Sequence, residues 1–231
     1  METLSFRAMN TSVLLAVDGE PYAAVGLQEA RSVIEQFEKR FSRFLPDSEL
    51  SQLNASHGAW TSVSPELFEM LDLALSYYQD TNGLFDPSIL PNLKRLGYDR
   101  SMDQLRKQSL SLRHSLPFPR LVPLHVRSGA VATSSITKRA WTQGTESRHH
   151  LIDPRTGQPA VSDWLSVTVF SANIVQAEVF AKAILIGGAG AADAMLAHCP
   201  EVAYLAVDRD GRFAGTENSK EYLYEFEIRP R

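Results

Sequence analysis

The side chains best suited to chemistry are concentrated in one stretch of the chain, from His149 to Gly157. It contains two imidazoles, a carboxylate, a guanidinium and a hydroxyl. Pro154 biases Asp153 away from helix, and Gly157 permits a left-handed turn residue. We therefore predict a polar loop between two strands, a place where ligand groups usually lie. The alternative is a tight hairpin in which Asp153 and Arg155 only satisfy the backbone and each other.

Other chemistries at this loop are less favoured by the sequence. Ser134 or Ser135 with His150 and Asp153 nominally forms a catalytic trio, but such trios arise easily by chance in a polar loop, and no serine lies in a G-x-S-x-G elbow. His149 and His150 would point to opposite faces of an extended segment, which makes them a poor metal pair. A metal site that combines one histidine with carboxylates remains an alternative.

The elements that follow the loop must hold it in place. The run from Trp164 to Phe170 predicts a strand, and a helix is predicted over Ala172 to Ile186. The apolar residues of this helix should face the core: Val175, Val179, Phe180, Ala183 and Ile184. Glu178 and Lys182 lie four residues apart, and the simplest interpretation is an exposed ion pair that contributes a few tenths of a kcal/mol.

The first part of the chain predicts a strand, three helices and an apolar loop. The predicted elements are a strand over Leu4 to Val17, a helix over Tyr22 to Arg40, a short helix capped by Asp47 or Ser48, and a helix that begins at Ser64 and Pro65. Apolar residues at helical spacing should face the core: Val33, Ile34, Phe37, Phe41, Leu67, Met70, Leu71, Ala74, Leu75 and Tyr78. Asp86 lies in the apolar loop from Gly83 to Pro91, and because a buried carboxylate needs a partner, it is a candidate site residue.

The remaining segments complete an α+β pattern. They predict a surface connector over Asp99 to Pro119, a hairpin over Leu121 to Thr133, a helix over Ala191 to His198, a hairpin over Val202 to Ala214 and an edge strand over Tyr222 to Ile228. Long helices mixed with several hairpins indicate an α+β fold. Since no linker is recognisable, we predict a single domain over residues 1–231, with a connector around residues 99–120.

Composition excludes several classes of function. The chain has 231 residues and a formal net charge of −4, so it has no general attraction to nucleic acid or to an anionic membrane. Cys199 is the only cysteine, which excludes an intrachain disulfide and a cysteine metal cluster. The first residues lack a basic region and an apolar run, so we expect no secretory signal, no membrane span and a cytoplasmic location.

Six short motifs, in order along most of the chain, carry a resemblance to a known family. They are Ala8-Met9-Asn10-Thr11, the segment from Phe41 to Asn54, Asp80-Thr81-Asn82-Gly83-Leu84-Phe85-Asp86-Pro87, Ala130-Val131-Ala132-Thr133-Ser134-Ser135, the segment from His150 to Gly157, and Ser166-Val167-Thr168-Val169. Each motif alone is weak, but six in order indicate kinship. The sequence resembles the ApbE family, the FAD:protein FMN transferases.

This resemblance implies a T-fold-like α+β domain and a Mg²⁺-dependent reaction. Family members transfer FMN from FAD to a threonine of an acceptor flavoprotein and release AMP. The resemblance implies that Met9, Leu84, Phe85 and Asp86 line the flavin or its ribityl chain, that Leu151 and Ile152 lie on the adenosine side, and that His150 and Asp153 are catalytic or position the loop. The alternative is an inactive ApbE-like module that binds flavin or a partner.

The sequence departs from the family pattern in two places. Relatives carry a Lys-Gly-x-x-x-Asp helix and a Gly-Gly-Asp turn, and nothing between Asp99 and Val131 matches either, so a central segment is shortened here. Relatives also read Ala-Asp-x-x-x-Thr on the helix that supplies Mg²⁺ ligands, where this chain has Glu178 and Lys182. Glu178 is a suitable ligand, but Lys182 cannot ligate a metal while protonated. The sequence leaves open whether Lys182 replaces the metal charge or points outward.

Overall fold

The computed structural model describes residues 1–19, 21–108, 124–137 and 139–223. Contacts divide the chain into two compact units, one formed by Met1–Asp72 with Arg100–Leu105 and the other by Leu73–Asp99 with Arg106–Arg231. Helices and antiparallel sheets are both present, which confirms the predicted α+β class. The predicted single domain stays a prediction.

The described residues form seven α-helices and ten strands. The helices are Ala23–Phe41 (α1), Glu49–Asn54 (α2), Pro65–Asp80 (α3), Leu90–Arg95 (α4), Met102–Gln108 (α5), Ile174–Gly187 (α6) and Ala189–Leu196 (α7). The strands are Glu2–Ala8 (β1), Thr11–Val17 (β2), Ala130–Ser135 (β3), Ala140–Gln143 (β4), Glu146–His149 (β5), Ile152–Asp153 (β6), Gln158–Pro159 (β7), Trp164–Ser171 (β8), Ala203–Asp208 (β9) and Phe213–Gly215 (β10). A 3₁₀ helix spans Glu217–Tyr222. Within these described elements, no helix combines the length and apolar composition that crossing a membrane requires.

The first unit begins with a hairpin where the sequence predicted one strand over Leu4 to Val17. Strands β1 and β2 pair from Glu2 opposite Val17 to Ala8 opposite Thr11. Met9 and Asn10 form the two-residue turn between them, with φ values of 50° and 59°. Two positive φ values match the twist of the flanking strands, and asparagine tolerates them better than methionine does. The one-strand prediction was wrong because its irregular middle is this turn.

The helix starts of the first unit follow the sequence, whereas its buried faces do not. The Ser48 hydroxyl accepts a hydrogen bond from the Ser51 amide at 3.1 Å, and the Ser64 hydroxyl accepts one from the Leu67 amide at 3.2 Å. Both predicted caps are confirmed. The inward placement of Val33 and Phe37 was wrong, since these residues are 52% and 40% exposed. Several apolar residues of α3 are likewise exposed: Phe68, Met70, Leu71, Leu75 and Tyr78. Periodicity identifies an apolar face but not whether another element covers it.

The second unit is built on an antiparallel sheet with strand order β10-β9-β8-β3. Helix α6 packs on β3 and β8, and its apolar side chains form the core with the inner face of the sheet. Val167 and Val169 of β8 and Ile184 of α6 are fully buried. From Ala177 to Ile186, only Glu178 and Lys182 are not buried. The predictions of strand β8, helix α6 and the β9–β10 hairpin are confirmed. Val175 is the exception to the predicted inward face, because it is 37% exposed.

Three local predictions require correction or lie outside the described residues. The predicted hairpin over Leu121 to Thr133 was wrong, because β3 pairs with β8, Ala130 facing Ser171. The described part of the predicted connector after Asp99 contains helix α5, which the sequence did not indicate, and the connector itself stays a prediction. Residues 109–123, which include the rest of the connector and of the shortened central segment, lie outside the description, as do residues 224–228 of the predicted terminal strand.

The start of α6 gives a test of its capping residue. The Asn173 side chain accepts hydrogen bonds from the amides of Val175 at 2.8 Å and Gln176 at 3.4 Å. Asn173→Ala should lower the free energy of unfolding by about 1 kcal/mol, and Asn173→Gly by only a few tenths, because glycine leaves the helix terminus open to water. Chemical denaturation measures both values. Equal losses in the two variants would contradict a capping role.

Candidate functional site

The loop from His149 to Pro159 forms a tight turn between two short strands, as the sequence predicts. Strands β6 and β7 pair with Ile152 opposite Pro159. The Asp153 carbonyl accepts hydrogen bonds from the amides of Thr156 at 3.2 Å and Gly157 at 2.8 Å. Gly157 has a φ of 65°, the left-handed value that favours glycine. The turn prediction is therefore confirmed, and the polar groups of the loop are held in one conformation.

Asp153 and Arg155 satisfy each other. One carboxylate oxygen of Asp153 accepts hydrogen bonds from the Arg155 amide and Nε, both at 2.9 Å, and the other accepts one from Nη2 at 2.8 Å. The guanidinium holds the pKa of the Asp153 carboxyl below its usual value. Asp153 is buried and Arg155 is exposed. This is the hairpin arrangement that the sequence left open, and it favours positioning of the loop over a catalytic role for Asp153.

Helix α4 fixes the far end of this turn through contacts that the sequence analysis missed. Arg95 Nη2 donates a hydrogen bond to the Gly157 carbonyl at 2.7 Å. The buried indole of Trp141 donates one to the Leu96 carbonyl at 2.8 Å. A Cβ at position 157 would lie 3.3 Å from the Asn92 side chain, so the glycine also gives α4 room to approach. No local pattern in the sequence links α4 to residues sixty positions away.

His150 is a mostly buried imidazole with positive charge beside it. Burial and, next, the charges of Arg139 and Lys182 lower its pKa to about 3. Its Nδ1 is buried and has no hydrogen-bond partner among the described residues. The ring is therefore neutral at physiological pH. The neighbouring His149 is tied down differently, because its Nε2 donates a hydrogen bond to the Ala160 carbonyl at 3.1 Å.

The serine trio is not formed. Both carboxylate oxygens of Asp153 bond to Arg155, and no hydrogen bond joins them to His150. The hydroxyl of Ser135 pairs instead with that of Thr137 at 2.8 Å. A nucleophile, base and orienting acid must be joined by hydrogen bonds, so this arrangement does not support a hydrolase mechanism.

Glu178 and Lys182 form an ion pair on α6, at the only two positions between Ala177 and Ile186 that are not buried. Lys182 Nζ lies 3.2 Å from Glu178 Oε1, and the two side chains are 28% and 58% exposed. The Lys182 side chain therefore lies along the protein surface beside Glu178 and does not extend into solvent. Among the residues that the structure describes, no three histidine, cysteine, aspartate or glutamate side chains are grouped so as to hold a metal ion. Because Mg²⁺ takes oxygen ligands and an ammonium can only donate, this donor set does not fit Mg²⁺.

The loop with Leu84, Phe85 and Asp86 is fixed by Thr81, which the sequence analysis quoted only as part of a motif. The buried Thr81 hydroxyl donates to the Tyr77 carbonyl at 2.7 Å and accepts from the Phe85 amide at 3.0 Å. Asp86 is half-buried and accepts hydrogen bonds from the Ser88 amide and hydroxyl, both at 2.7 Å. A threonine at the end of a helix, followed by Asn-Gly, was the available signal for this turn.

The predicted ligand-lining residues differ in how accessible their side chains are. Leu84, Leu151 and Ile152 are 8%, 1% and 3% exposed, so their side chains pack in the interior. Phe85 is half-buried against the core cluster. A contact from the three buried residues to a ligand would therefore involve mainly the backbone. Their assignment as nucleotide-binding residues stays a prediction.

Met9 lies in the first unit, at the wall of an apolar cavity of about 470 Å³. The cavity is lined by Met9, Asn10, Phe37, Glu38, Phe41, Ser42, Arg43, Phe44, Leu45, Met70 and Ser101. Glu38 fixes the turn here, because its carboxylate accepts a hydrogen bond from the Met9 amide at 2.8 Å. The rings of Phe37 and Phe41 meet edge to face at 5.3 Å. A cavity of this size and lining suits a flat aromatic ligand.

A family model and one curated relative match the sequence. The model of the ApbE family matches residues 9–119 and 113–206, which together cover most of the chain. The FAD:protein FMN transferase of Treponema pallidum is 35% identical over 94 residues. That alignment spans 41% of this chain and 26% of the relative, so the chain matches about a quarter of the relative's length.

Solved structures share the fold at low sequence identity. The ApbE protein of Thermotoga maritima superposes with a TM-score of 0.77 at 17% identity, covering 97% of this chain and 99% of that one. The flavin transferase ApbE of Vibrio cholerae gives a TM-score of 0.69 at 16% identity, covering 96% and 99%. The flavinyl transferase ApbE of Pseudomonas stutzeri gives 0.67 at 16% identity, covering 95% and 96%. At such identities the structural likeness establishes the fold.

The low pKa of His150 predicts acid sensitivity. Between pH 6.5 and 3 the unfolded chain binds a proton at this imidazole and the folded chain does not. His150 therefore leaves the free energy of unfolding unchanged above about pH 6.5. Below this pH it lowers the free energy of unfolding, by about 1.4 kcal/mol per pH unit at most. Urea denaturation between pH 7 and 5 should show a shallower loss for His150→Gln than for the unaltered protein. His198→Gln, which removes an exposed imidazole, is the matched control, and identical slopes for the first two proteins would contradict the prediction.

Proposed function

The chain belongs to the ApbE family, and from this premise we propose that it is a FAD:protein FMN transferase. The reaction moves FMN from FAD to a threonine of an acceptor flavoprotein and releases AMP. The family match carries the proposal, because it extends over residues 9–206 and includes the Met9 turn, the Leu84 loop and the His150 loop. The name of the Treponema pallidum relative gives the same activity.

The proposed chemistry is one displacement at phosphorus. The acceptor threonine hydroxyl attacks the phosphorus of the FMN half of FAD, a new phosphoester bond forms, and the bond to the AMP phosphate breaks. The hydroxyl loses its proton, and AMP leaves with the bridging oxygen. Positive charge and hydrogen-bond donors beside the diphosphate must stabilise the charge that develops on its oxygens.

The histidine and aspartate of the central loop contribute to this reaction mainly by holding it in shape. A group with a pKa of about 3, as His150 has, is a weak proton acceptor at neutral pH. The Asp153 carboxylate is committed to Arg155. Of the two roles that the resemblance allows for His150 and Asp153, we therefore propose loop positioning. The proton of the acceptor threonine then passes to water or to a group of the acceptor.

The flavin ring has a proposed place in the first unit. The cavity at Met9 has a mainly apolar lining surface that includes the thioethers of Met9 and Met70 and three phenylalanine rings, which suits the isoalloxazine ring. Met9 is 48% exposed, so its side chain is accessible to a ligand. The assignments of Phe85 and Asp86 to the ribityl chain, and of Leu151 and Ile152 to the adenosine side, stay predictions that rest on the family resemblance.

A turnover assay tests the proposed function. The purified protein is incubated with FAD and an acceptor domain that carries a target threonine, and AMP release and flavin retained on the acceptor after denaturation are followed. The expected result is equal amounts of AMP and covalently bound flavin. An acceptor with threonine replaced by alanine is the control. FAD binding without AMP release would instead indicate a flavin-binding module, and absence of binding would refute the proposal.

Met9 gives a separate test of the flavin site. Met9→Gly should raise the free energy of unfolding by about 1 kcal/mol, because glycine adopts a φ of 50° without strain. It should also weaken FAD binding by about two- to tenfold through loss of the thioether contact. Met9→Ala removes the same contact and keeps the strain, so it should weaken binding without the gain in stability. Fluorescence titration and denaturation measure the two effects, and unchanged FAD affinity in both variants would exclude Met9 from the site.

A further inference from the structure

Helix α6 has one polar interruption in an otherwise buried segment. Every residue from Ala177 to Ile186 is buried except Glu178 and Lys182. The two side chains lie one turn apart on the same face, 3.2 Å from each other. Such a pair adds only a few tenths of a kcal/mol to helix stability. The ion pair therefore contributes too little stability to explain why a lysine lies at this position.

The surroundings of Lys182 carry an excess of positive charge. Arg139 lies beside the His150 loop, since the His150 amide donates a hydrogen bond to the Arg139 carbonyl at 3.2 Å, and the charges of Arg139 and Lys182 both act on the His150 imidazole. Glu178 balances one of these two cations. Asp153, the other nearby carboxylate in the loop, is already balanced by Arg155. The charges of Arg139, Lys182 and Glu178 sum to one positive charge beside a neutral imidazole, which favours an anionic ligand over a cation.

The same groups disfavour a divalent cation. Mg²⁺ requires oxygen ligands in near-octahedral geometry. Glu178 offers a carboxylate, but an ammonium group occupies the position beside it and would repel the metal ion. In the part of the chain that the structure describes, no further pair of acidic, imidazole or thiol side chains completes a metal site with Glu178.

We propose that Lys182, oriented by Glu178, binds the diphosphate of FAD directly, so that this chain binds its nucleotide without a divalent cation. The inference rests on the proposed function, since it takes FAD as the ligand. A lysine ammonium donates up to three hydrogen bonds and commonly binds phosphate as a point charge. Glu178 holds the ammonium in place and moderates its charge.

The test is a set of FAD titrations followed by flavin fluorescence, each carried out with Mg²⁺ and with EDTA. The unaltered protein should give the same dissociation constant in both conditions. Lys182→Gln should weaken FAD binding at least about tenfold, because a charge-assisted hydrogen bond to phosphate is lost. Lys182→Arg keeps the charge and should retain most of the affinity.

Substitution of Glu178 distinguishes diphosphate binding by Lys182 from metal binding by Glu178, because the two roles predict different changes in FAD affinity. If Lys182 binds the diphosphate, Glu178→Gln keeps an amide oxygen that can accept the hydrogen bond from Lys182 but removes the negative charge, so it should tighten FAD binding in EDTA by about two- to fivefold. If Glu178 is a metal ligand, the same substitution should weaken binding in Mg²⁺ and have no effect in EDTA. The two hypotheses therefore predict opposite results for one variant.

The chain provides a matched control in a second lysine–glutamate pair. Lys220 Nζ lies 2.7 Å from Glu217 Oε1 on the 3₁₀ helix, outside the candidate site. Lys220→Gln and Glu217→Gln make the same changes in net charge and should leave FAD affinity unchanged. Circular dichroism melting of every variant establishes that it is folded before binding is compared.

Two results would overturn the inference while leaving the proposed function intact. One is FAD binding that is lost in EDTA. The other is a Lys182→Thr variant whose FAD affinity and Mg²⁺ response equal those of the unaltered protein. If the unaltered protein binds no FAD in either condition, the proposed function fails and the inference fails with it.

Discussion

The burial of α6 against β3 and β8 is the constraint on which the second unit depends. An almost wholly apolar helix is stable only when both the sheet and the neighbouring segments keep water from it. The completely buried Val167, Val169 and Ile184 show how closely the two layers pack. This packing fixes the direction of β8, and it leaves Glu178 and Lys182 as the polar groups of the helix segment that reach the surface.

The candidate site in this unit uses most of its polar groups internally. Asp153 is held by Arg155, and the Gly157 carbonyl is held by Arg95. A loop that satisfies its own hydrogen bonds offers few free groups for chemistry, but it holds its neighbours at fixed positions. Beside this loop, the charges of Arg139, Lys182 and Glu178 sum to one positive charge, which is the basis of the proposed phosphate contact.

Local signals in the sequence predicted much of the fold. Ser48 and Ser64 marked helix starts because capping depends on residues within one turn, and the run of apolar residues in β8 marked a buried strand. The hairpin at Met9 was missed because methionine does not favour a positive φ, so only Asn10 signalled a turn. The partner of β3 was misassigned for a different reason: strand pairing depends on residues distant in sequence, and Ala130 meets Ser171.

For the candidate site, the sequence by itself determined the family, the polar turn at Asp153 and the presence of a lysine four residues after Glu178. These features depend on residue identity and on spacing within a few positions. Only the tertiary structure decided that the Asp153 carboxylate is bound by Arg155, that Leu84 and Leu151 are interior residues, and that Arg139 and Lys182 lie near a mostly buried His150. Burial and electrostatic surroundings depend on which distant segments pack together, and no local pattern of residues specifies that.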